Sequence, residues 1–290
     1  TKTQKEKYLR PMARGELLSA FCLTEPQGGS DAGAIRTRAE RRHGAYVLNG
    51  TKQFITSGKN ADIALVFAAT DFGLGKRGIS CFIVETKQTG YCVTRVESKM
   101  GQHASDTCEI RFDELSVPTE NRLGAEGQGY RIALANLEGG RIGIAAQAVG
   151  MARAAFEIAL RYAQERETFG KVIIEHQAVA FRLAEMATQL EAARELVHHA
   201  AALRSHGLPC LKQASMAKLF ATEAAERICS EAIQTLGGAG YMTTHDVERI
   251  FRAVRASKIY EDTNDIQRLV ISRALIDETV QQERPERVVC

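Results

Sequence analysis

Residues 257–267 read SKIYEDTNDIQ. Two acids, Glu261 and Asp262, stand side by side after Ile259 and Tyr260, and an apolar helical rhythm resumes a few positions on. On its own the stretch supports two readings. It is a solvated turn, or it holds a carboxylate against an apolar pocket as a general base. Burial raises a carboxylate's pKa and makes it a better proton acceptor near neutrality.

Three other stretches carry residue types suited to a site. FCLTEPQGGSDAG (21–33) leaves a strand and enters a loop. Gly28 and Gly29 let the backbone approach a ligand, and Thr24 and Ser30 add hydroxyls. An ordinary polar turn has the same composition. No Gly-Lys-Ser/Thr follows, and GxGxxG is absent, so neither a P-loop nor a dinucleotide fingerprint is present. QTLGGAGY (234–241) ends a helical pattern, where a glycine pair is expected as a C-cap. RETFGK (166–171) interrupts a helical run. Arg166 and Phe169 suit a phosphate and a ring, or a solubilised and anchored turn.

The elements that must position these stretches fall into two halves. From 45 to 118 the pattern alternates, with short strands at YVLNGTKQFIT, ADIALVFAA, GISCFIVE, YCVTRVE and CEIRFDELSV and an earlier one at SAFCLTE. Asn49-Gly50 is a hairpin signal, because both residues tolerate positive φ. This predicts an antiparallel sheet, barrel-like or sandwich-like. From Gln128 the spacing turns helical. Long helices are predicted over 129–166, 175–204, 213–236 and 265–282, and their alanine-rich faces fit an antiparallel four-helix bundle. The expected class is α+β: residues 1–18 as the tail of a helix whose beginning is missing, 19–122 as a β domain, and 123–290 as a helical domain.

Composition narrows the function. The chain has 290 residues, 44% hydrophobic and 25% charged, with a net charge of +3 and interspersed signs. Nothing electrostatic favours nucleic acid, and no apolar run reads as a membrane span. The seven cysteines include no CxxC pair, and the histidines form no ligand set, so free thiols and no metal are expected. The charged start TKTQKEKYLRPM is no secretory signal.

Taken together and in order, LTEPQGGSD, FITSG, MGQHASDT, RETFGK, QTLGGAGY and IYEDTNDIQRLVISR resemble the acyl-CoA dehydrogenase family of flavoenzymes, from about Gln4 to Ile276. The resemblance makes residues 1–18 the remnant of a preceding helical domain and implies FAD bound in extended form. Phe21, Leu23, Thr24, Gly29, Ser30, Phe54 and Thr56 would meet the flavin. Arg166, Thr168, Phe169, Gln177, Gln234 and Gly238 of a second subunit would meet the ADP part, and Thr263 and Asp265 would close over the cofactor. It implies Glu261 as the base that removes the α-proton of a short acyl-CoA. Tyr260 and Leu137 would line the thioester pocket, Arg141 and Arg273 would steady the loop and the CoA side, and Ser30 would also face substrate. A trans-2-enoyl-CoA product, electron-transferring flavoprotein as electron acceptor, a homotetrameric dimer of dimers, and a bacterial cytoplasmic or mitochondrial matrix location follow from the same resemblance.

The family's alternative base position is Gly140 here, in LEGGR, and Glu138 is expected to project elsewhere. Two positions depart from the family pattern. Asp262 stands where the family has glycine after the base, and Arg252–Val254 reads RAV in place of RDA. Aspartate visits left-handed backbone more readily than most residues, and its charge would raise the pKa of a neighbouring acid. An impaired or non-catalytic relative, and a relative with different flavin chemistry such as an oxidase, are the alternatives.

Overall fold

The computed structural model describes residues 1–282; Cys290 and the end of the expected helical domain lie outside the described residues. The chain forms two compact units, Thr1–Asn136 and Leu137–Cys290, and the division falls inside one continuous helix, α1 (Gly129–Glu165).

In the first unit, the described strands form one sheet. They are β1 (Ser19–Cys22), β2 (Arg38–Arg42), β3 (Ala45–Thr56), β4 (Ile63–Ala69), β5 (Ile79–Glu85), β6 (Tyr91–Val96), β7 (Thr107–Pro118) and β8 (Arg122–Leu123). The pairing order is β6-β7-β3-β2-β4-β5-β8, with β1 on β4. Most pairs are antiparallel, but β1 runs parallel to β4, and β2 touches β4 in parallel at Arg38 and Ala69. The sheet is therefore mixed, not purely antiparallel as expected. It also curls: the rings of Tyr46 on β3 and Phe82 on β5 lie 4.9 Å apart, although β2 and β4 separate their strands in pairing order.

Asn49-Gly50 is not a hairpin. β3 runs straight through it, and the extra residue sits on β7, where Glu114 takes φ 47° and donates its N–H to Asn49 Oδ1 at 2.9 Å. Glycine is needed at 50 because a Cβ there would lie 2.5 Å from Thr37 Oγ1. The real turn is His43-Gly44, with φ 49° and 82°, the two positive values that a two-residue type I′ hairpin requires.

Bulges set which side chains face inward. On β7 the buried positions are Cys108, Ile110 and Phe112, then Leu115 and Val117, so the parity flips at the bulge. On β3 they are Tyr46, Leu48 and Lys52, then Ile55, and the second bulge turns Phe54 outward at φ 57°. Lys52 thus occupies an inward position with no exposed surface. Its Nζ donates to Glu25 Oε1 at 2.8 Å and to Leu23 O at 3.0 Å.

Glu25 also accepts from the backbone N–H of Arg36 at 2.7 Å and of Thr37 at 3.1 Å. Burial pushes its carboxyl up, but Lys52 and these hydrogen bonds hold it below the usual range. One buried ion pair therefore organises the whole 23–37 loop. Gln53 N–H donates to Thr24 O at 2.9 Å, which fixes that loop beside the bulge carrying Phe54. Ahead of the sheet, helical turns over 2–13 are anchored by Gln4, whose amide donates to Glu120 O and Arg122 O at 2.8 and 3.0 Å.

The second unit is helical. Besides α1 it contains α2 (Gln177–Ser205), α3 (Leu211–Leu236), α4 (Val247–Val254) and α5 (Asn264–Gln282). Ala145, Ala148, Ala152, Ala155, Ala159 and Ala163 of α1, at steps of three and four, are buried in one core. So are Ala214, Ala217, Ala221, Ala225 and Ala232 of α3. Against these small faces α2 sets Leu183, Met186, Leu190 and Val197. Large side chains against small ones let helix axes approach closely while the interior stays filled. By length and composition α1 is apolar enough to cross a membrane, unlike the sequence expectation, yet its alanine stripe in this unit is committed to the core. The described cysteines are free, and all but Cys92 are buried.

Removing one partner of a buried ion pair strands the other charge. Lys52→Met should cost about 3–5 kcal/mol in urea unfolding of the chain, and a loss below about 1 kcal/mol would mean the pair is not the loop's anchor.

Candidate active site

Between the short 3-10 turn Arg255–Lys258 and α5, the chain places two consecutive non-glycine residues in left-handed backbone, Glu261 at φ 52° and Asp262 at φ 67°. Such a conformation costs roughly 1–2 kcal/mol per residue, so the surroundings must hold it. They do so with a hydrogen-bonded cluster. Lys218 of α3, fully buried, donates to Asp262 O at 2.7 Å and to Asn264 Oδ1 at 3.0 Å. Arg141 of α1 donates from Nη2 to Asp262 Oδ2 at 2.7 Å. Gln267 donates to Asp262 O at 3.3 Å, and Asn264 Nδ2 donates to Thr222 Oγ1 at 3.1 Å.

The turn lays the Glu261 carboxylate over Gly140. A Cβ at position 140 would lie 2.2 Å from Glu261 Oε2 and 2.7 Å from its carboxyl carbon. Glycine at 140 is thus the gap that the carboxylate fills. Oε2 is buried and has no hydrogen-bond partner in the protein. Burial raises the pKa of Glu261, and the neighbouring Asp262 raises it further; Arg141 and Lys218 pull it back. Burial also pushes the Lys218 ammonium down to about 8. A partly desolvated carboxylate with a free buried oxygen is the arrangement a general base requires.

The other expected substrate residues are only partly gathered here. Leu137, buried, and Arg141 lie three residues before and one after Gly140 on α1. Tyr260 is half-buried and donates its hydroxyl to Gln147 Oε1 at 2.5 Å. Glu138 points elsewhere, accepting from Cys210 Sγ at 3.3 Å with Arg204 at 3.9 Å. Arg273 is exposed on α5. Thr263 Oγ1 accepts weakly from Ile266 N–H at 3.4 Å, and Asp265 is exposed and pairs with Arg268 at 3.1 Å.

A second set gathers where α1 meets α2. Thr168 and Lys171 pair across a two-residue hairpin whose tip, Phe169-Gly170, takes φ 52° and 79°. Phe169 is 97% exposed, its ring edge-on to His176 at 6.0 Å. His176 Nε2 also contacts Thr168 Oγ1 at 3.3 Å. Arg166 and Gln177 flank this hairpin and are exposed, as are Gln234 and Gly238 at the far end of α3, just either side of the left-handed Gly237. In the first unit, the ring of Phe21 packs tilted against that of Phe67, centroids 4.9 Å apart, and Leu23 is buried. Gly29, Ser30, Phe54 and Thr56 are exposed and Thr24 half-buried.

Lys218, Asn264 and Thr222, the residues that pin the turn, and Glu25, Lys52 and His176 are not among the residues expected from the sequence. A signal existed for Lys218. It stands in ASMAKLFA on the same face as Ala214, Ala217, Ala221 and Ala225, a lone cation in an apolar stripe. Lys52 carried the equivalent signal in the inward register of β3.

Comparison with known proteins adds to this geometry. The family models described as acyl-CoA dehydrogenase, middle domain, and acyl-CoA dehydrogenase, C-terminal domain, match residues 20–115 and 127–276. The chain is 52% identical over 276 residues to an acyl-CoA dehydrogenase of Bacillus subtilis (strain 168), covering 95% of this chain and 73% of that protein. It superposes with a TM-score of 0.94 and 45% identity on butyryl-CoA dehydrogenase from Megasphaera elsdenii, covering 95% of this chain and 72% of the other. A structure solved in work on the electron transferring flavoprotein of Acidaminococcus fermentans matches with a TM-score of 0.94 and 48% identity, covering 95% and 73%.

The raised pKa has a consequence for folding. The folded state binds the Glu261 proton more tightly than the unfolded chain does. Stability therefore falls as pH climbs from the ordinary carboxylate value to the raised one, and below that window the deficit is absent. Glu261→Gln should raise the melting temperature above wild type at pH 8 and leave it unchanged at pH 4; an equal shift at both would mean the carboxylate is not desolvated.

Proposed function

The chain belongs to the acyl-CoA dehydrogenase family, and from that premise we propose that it oxidises a short acyl-CoA thioester to the trans-2-enoyl-CoA. The observation that carries the reading is the Glu261 carboxylate, buried at Oε2, unpartnered, and seated in the gap of Gly140. The family is one of FAD-dependent oxidoreductases, and FAD, when bound, supplies the acceptor for the substrate's β-hydride. Everything else is the work of the chain's own residues.

Glu261 takes the α-proton. The pKa mismatch between a carboxylate and a thioester α-carbon is large in water, and desolvation narrows it. Leu137 and the ring of Tyr260 give the reacting carbons an apolar wall that excludes water. Arg141 and Lys218 hold the turn, so the carboxylate is already placed when substrate arrives. Arg273, exposed on α5, offers a guanidinium to the phosphates of CoA, and Ser30 a hydroxyl to the substrate.

The residues present fit the cofactor. Phe54 and Phe169 are exposed aromatics held outward by left-handed backbone, an arrangement that suits a ring system. Phe21, Leu23, Thr24, Gly29, Ser30 and Thr56 would surround the flavin with apolar contacts, hydroxyls and backbone. Arg166, Thr168, Gln177, Gln234 and Gly238 of a second copy would take the ADP part, Arg166 pairing with phosphate. Thr263 and Asp265 would close over it. We read the curled sheet as barrel-like, the long helices as an antiparallel bundle, and the assembly as a dimer of dimers. An electron-transferring flavoprotein is the partner that would remove the electrons, in line with the similar structure solved in work on such a protein.

The purified chain should be yellow and should bleach anaerobically on addition of butyryl-CoA. Glu261→Gln should keep the colour and abolish bleaching; persistence of bleaching in that variant would remove Glu261 as the base, and rapid recolouring in air would mark an oxidase. Gly140→Ala separates placement from folding. Alanine favours the helix by up to about 1 kcal/mol, and its Cβ displaces only the tip of a flexible side chain. The variant should be at least as stable and bleach about a hundredfold more slowly; an undiminished rate would show that the carboxylate works from elsewhere.

A further inference from the structure

We propose that Asp262 is a positioning residue: its carboxylate engages the guanidinium of Arg141, keeps that charge from pairing with Glu261, and fixes the left-handed turn that lays Glu261 over Gly140. The inference rests on the reading of Glu261 as the base.

Three charged groups face Glu261. Asp262 adjoins it on the same turn, Arg141 reaches it from α1, and Lys218 from α3. Arg141 is 5% exposed, and its guanidinium is held by Asp262, the residue next to Glu261, so it lies in the neighbourhood of the carboxylate that covers Gly140. A buried guanidinium beside a half-buried carboxylate pairs with it by default, two hydrogen bonds at a time. Here it does not. Arg141 Nη2 donates to Asp262 Oδ2 at 2.7 Å, while Glu261 Oε2 accepts from no protein group and Arg141 Nε donates to none.

Lys218 is likewise committed, to Asp262 O and to Asn264 Oδ1. Both cations that could quench the base are therefore held by Asp262, one through its side chain and one through its carbonyl. Aspartate also bears the positive φ better than most residues with a side chain. The two duties, charge and backbone, can be separated by substitution. Asn keeps the size, the tolerance of left-handed backbone and an oxygen for Arg141, but loses the charge. Glycine adopts the backbone freely and releases Arg141 altogether.

The test follows the Glu261 carboxyl directly. Infrared spectra of the chain carrying 13C-glutamate, with the Glu261→Gln spectrum subtracted, give its protonation against pH. In parallel, anaerobic bleaching by butyryl-CoA is followed over the same range. In Asp262→Gly the midpoint of the carboxyl band should fall by about one pH unit or more, because the Asp262 charge that raises it is gone and Arg141 turns to Glu261. Asp262→Asn removes the charge but keeps an oxygen for Arg141, so it should move the midpoint the same way by less. The difference between the two variants is the part due to Arg141. The acid limb of the bleaching rate should follow, with a lower plateau. An unmoved midpoint in whichever variant folds, or an Asp262→Gly midpoint no lower than that of Asp262→Asn, would overturn the proposal. If instead bleaching survives Glu261→Gln, the base assignment fails, and the infrared midpoint still decides whether Asp262 restrains Arg141.

Discussion

A carboxylate oxygen kept from water and from any partner needs an empty place to sit and cations that are engaged elsewhere. The second unit supplies both. Gly140 leaves the place, since any side chain there would meet Glu261 Oε2 at 2.2 Å. Asp262 engages the cations, its carboxylate taking Arg141 and its carbonyl taking Lys218. The strained turn, the alanine-lined helices beside it and the polar cluster beneath it all serve that one arrangement.

The two units solve the same problem in the same way. In each, a lysine with no exposed surface stands in an otherwise apolar row and donates to a backbone carbonyl of an irregular segment: Lys52 to Leu23 in the first, Lys218 to Asp262 in the second. Each also binds a side-chain oxygen, of Glu25 or of Asn264. Irregular backbone has no ladder to satisfy it, so its carbonyls need donors from outside. A long side chain rooted in a strand or helix brings the donor and fixes the segment to a rigid element. The β domain uses this to shape the 23–37 loop and the helical unit to shape the 259–263 turn.

Much of this was legible in the sequence, for reasons that can be named. The change from alternation to helical spacing near Gln128 marks where strands give way to helices, because each period is imposed by the geometry of one backbone. Asp262 was readable as a residue able to bear positive φ, and Glu138 as one aimed away from Glu261. The Asn49-Gly50 hairpin was wrong because a strong turn dipeptide also fits a strand opposite a bulge, and the partner strand that decides the matter lies more than sixty residues away. The flip of parity between Phe112 and Leu115 was the trace of that bulge. His43-Gly44 carries a weaker turn signal because histidine is a less usual residue for the first place of such a turn. The cluster of Lys218, Thr222 and Asn264 was hidden because its members meet only after α3 and α5 pack, and no spacing along the chain announces it.

The clearance at position 140 also constrains how such a chain could change over generations. On the reading of Glu261 as the proton acceptor, an acid on the helix at 140 and one on the turn at 261 would compete for the same few cubic ångströms, so moving the acceptor from one position to the other requires both sites to change. Each one-step intermediate holds either a collision or no acid at all. Residues 140 and 261 are in that sense one trait written in two codons.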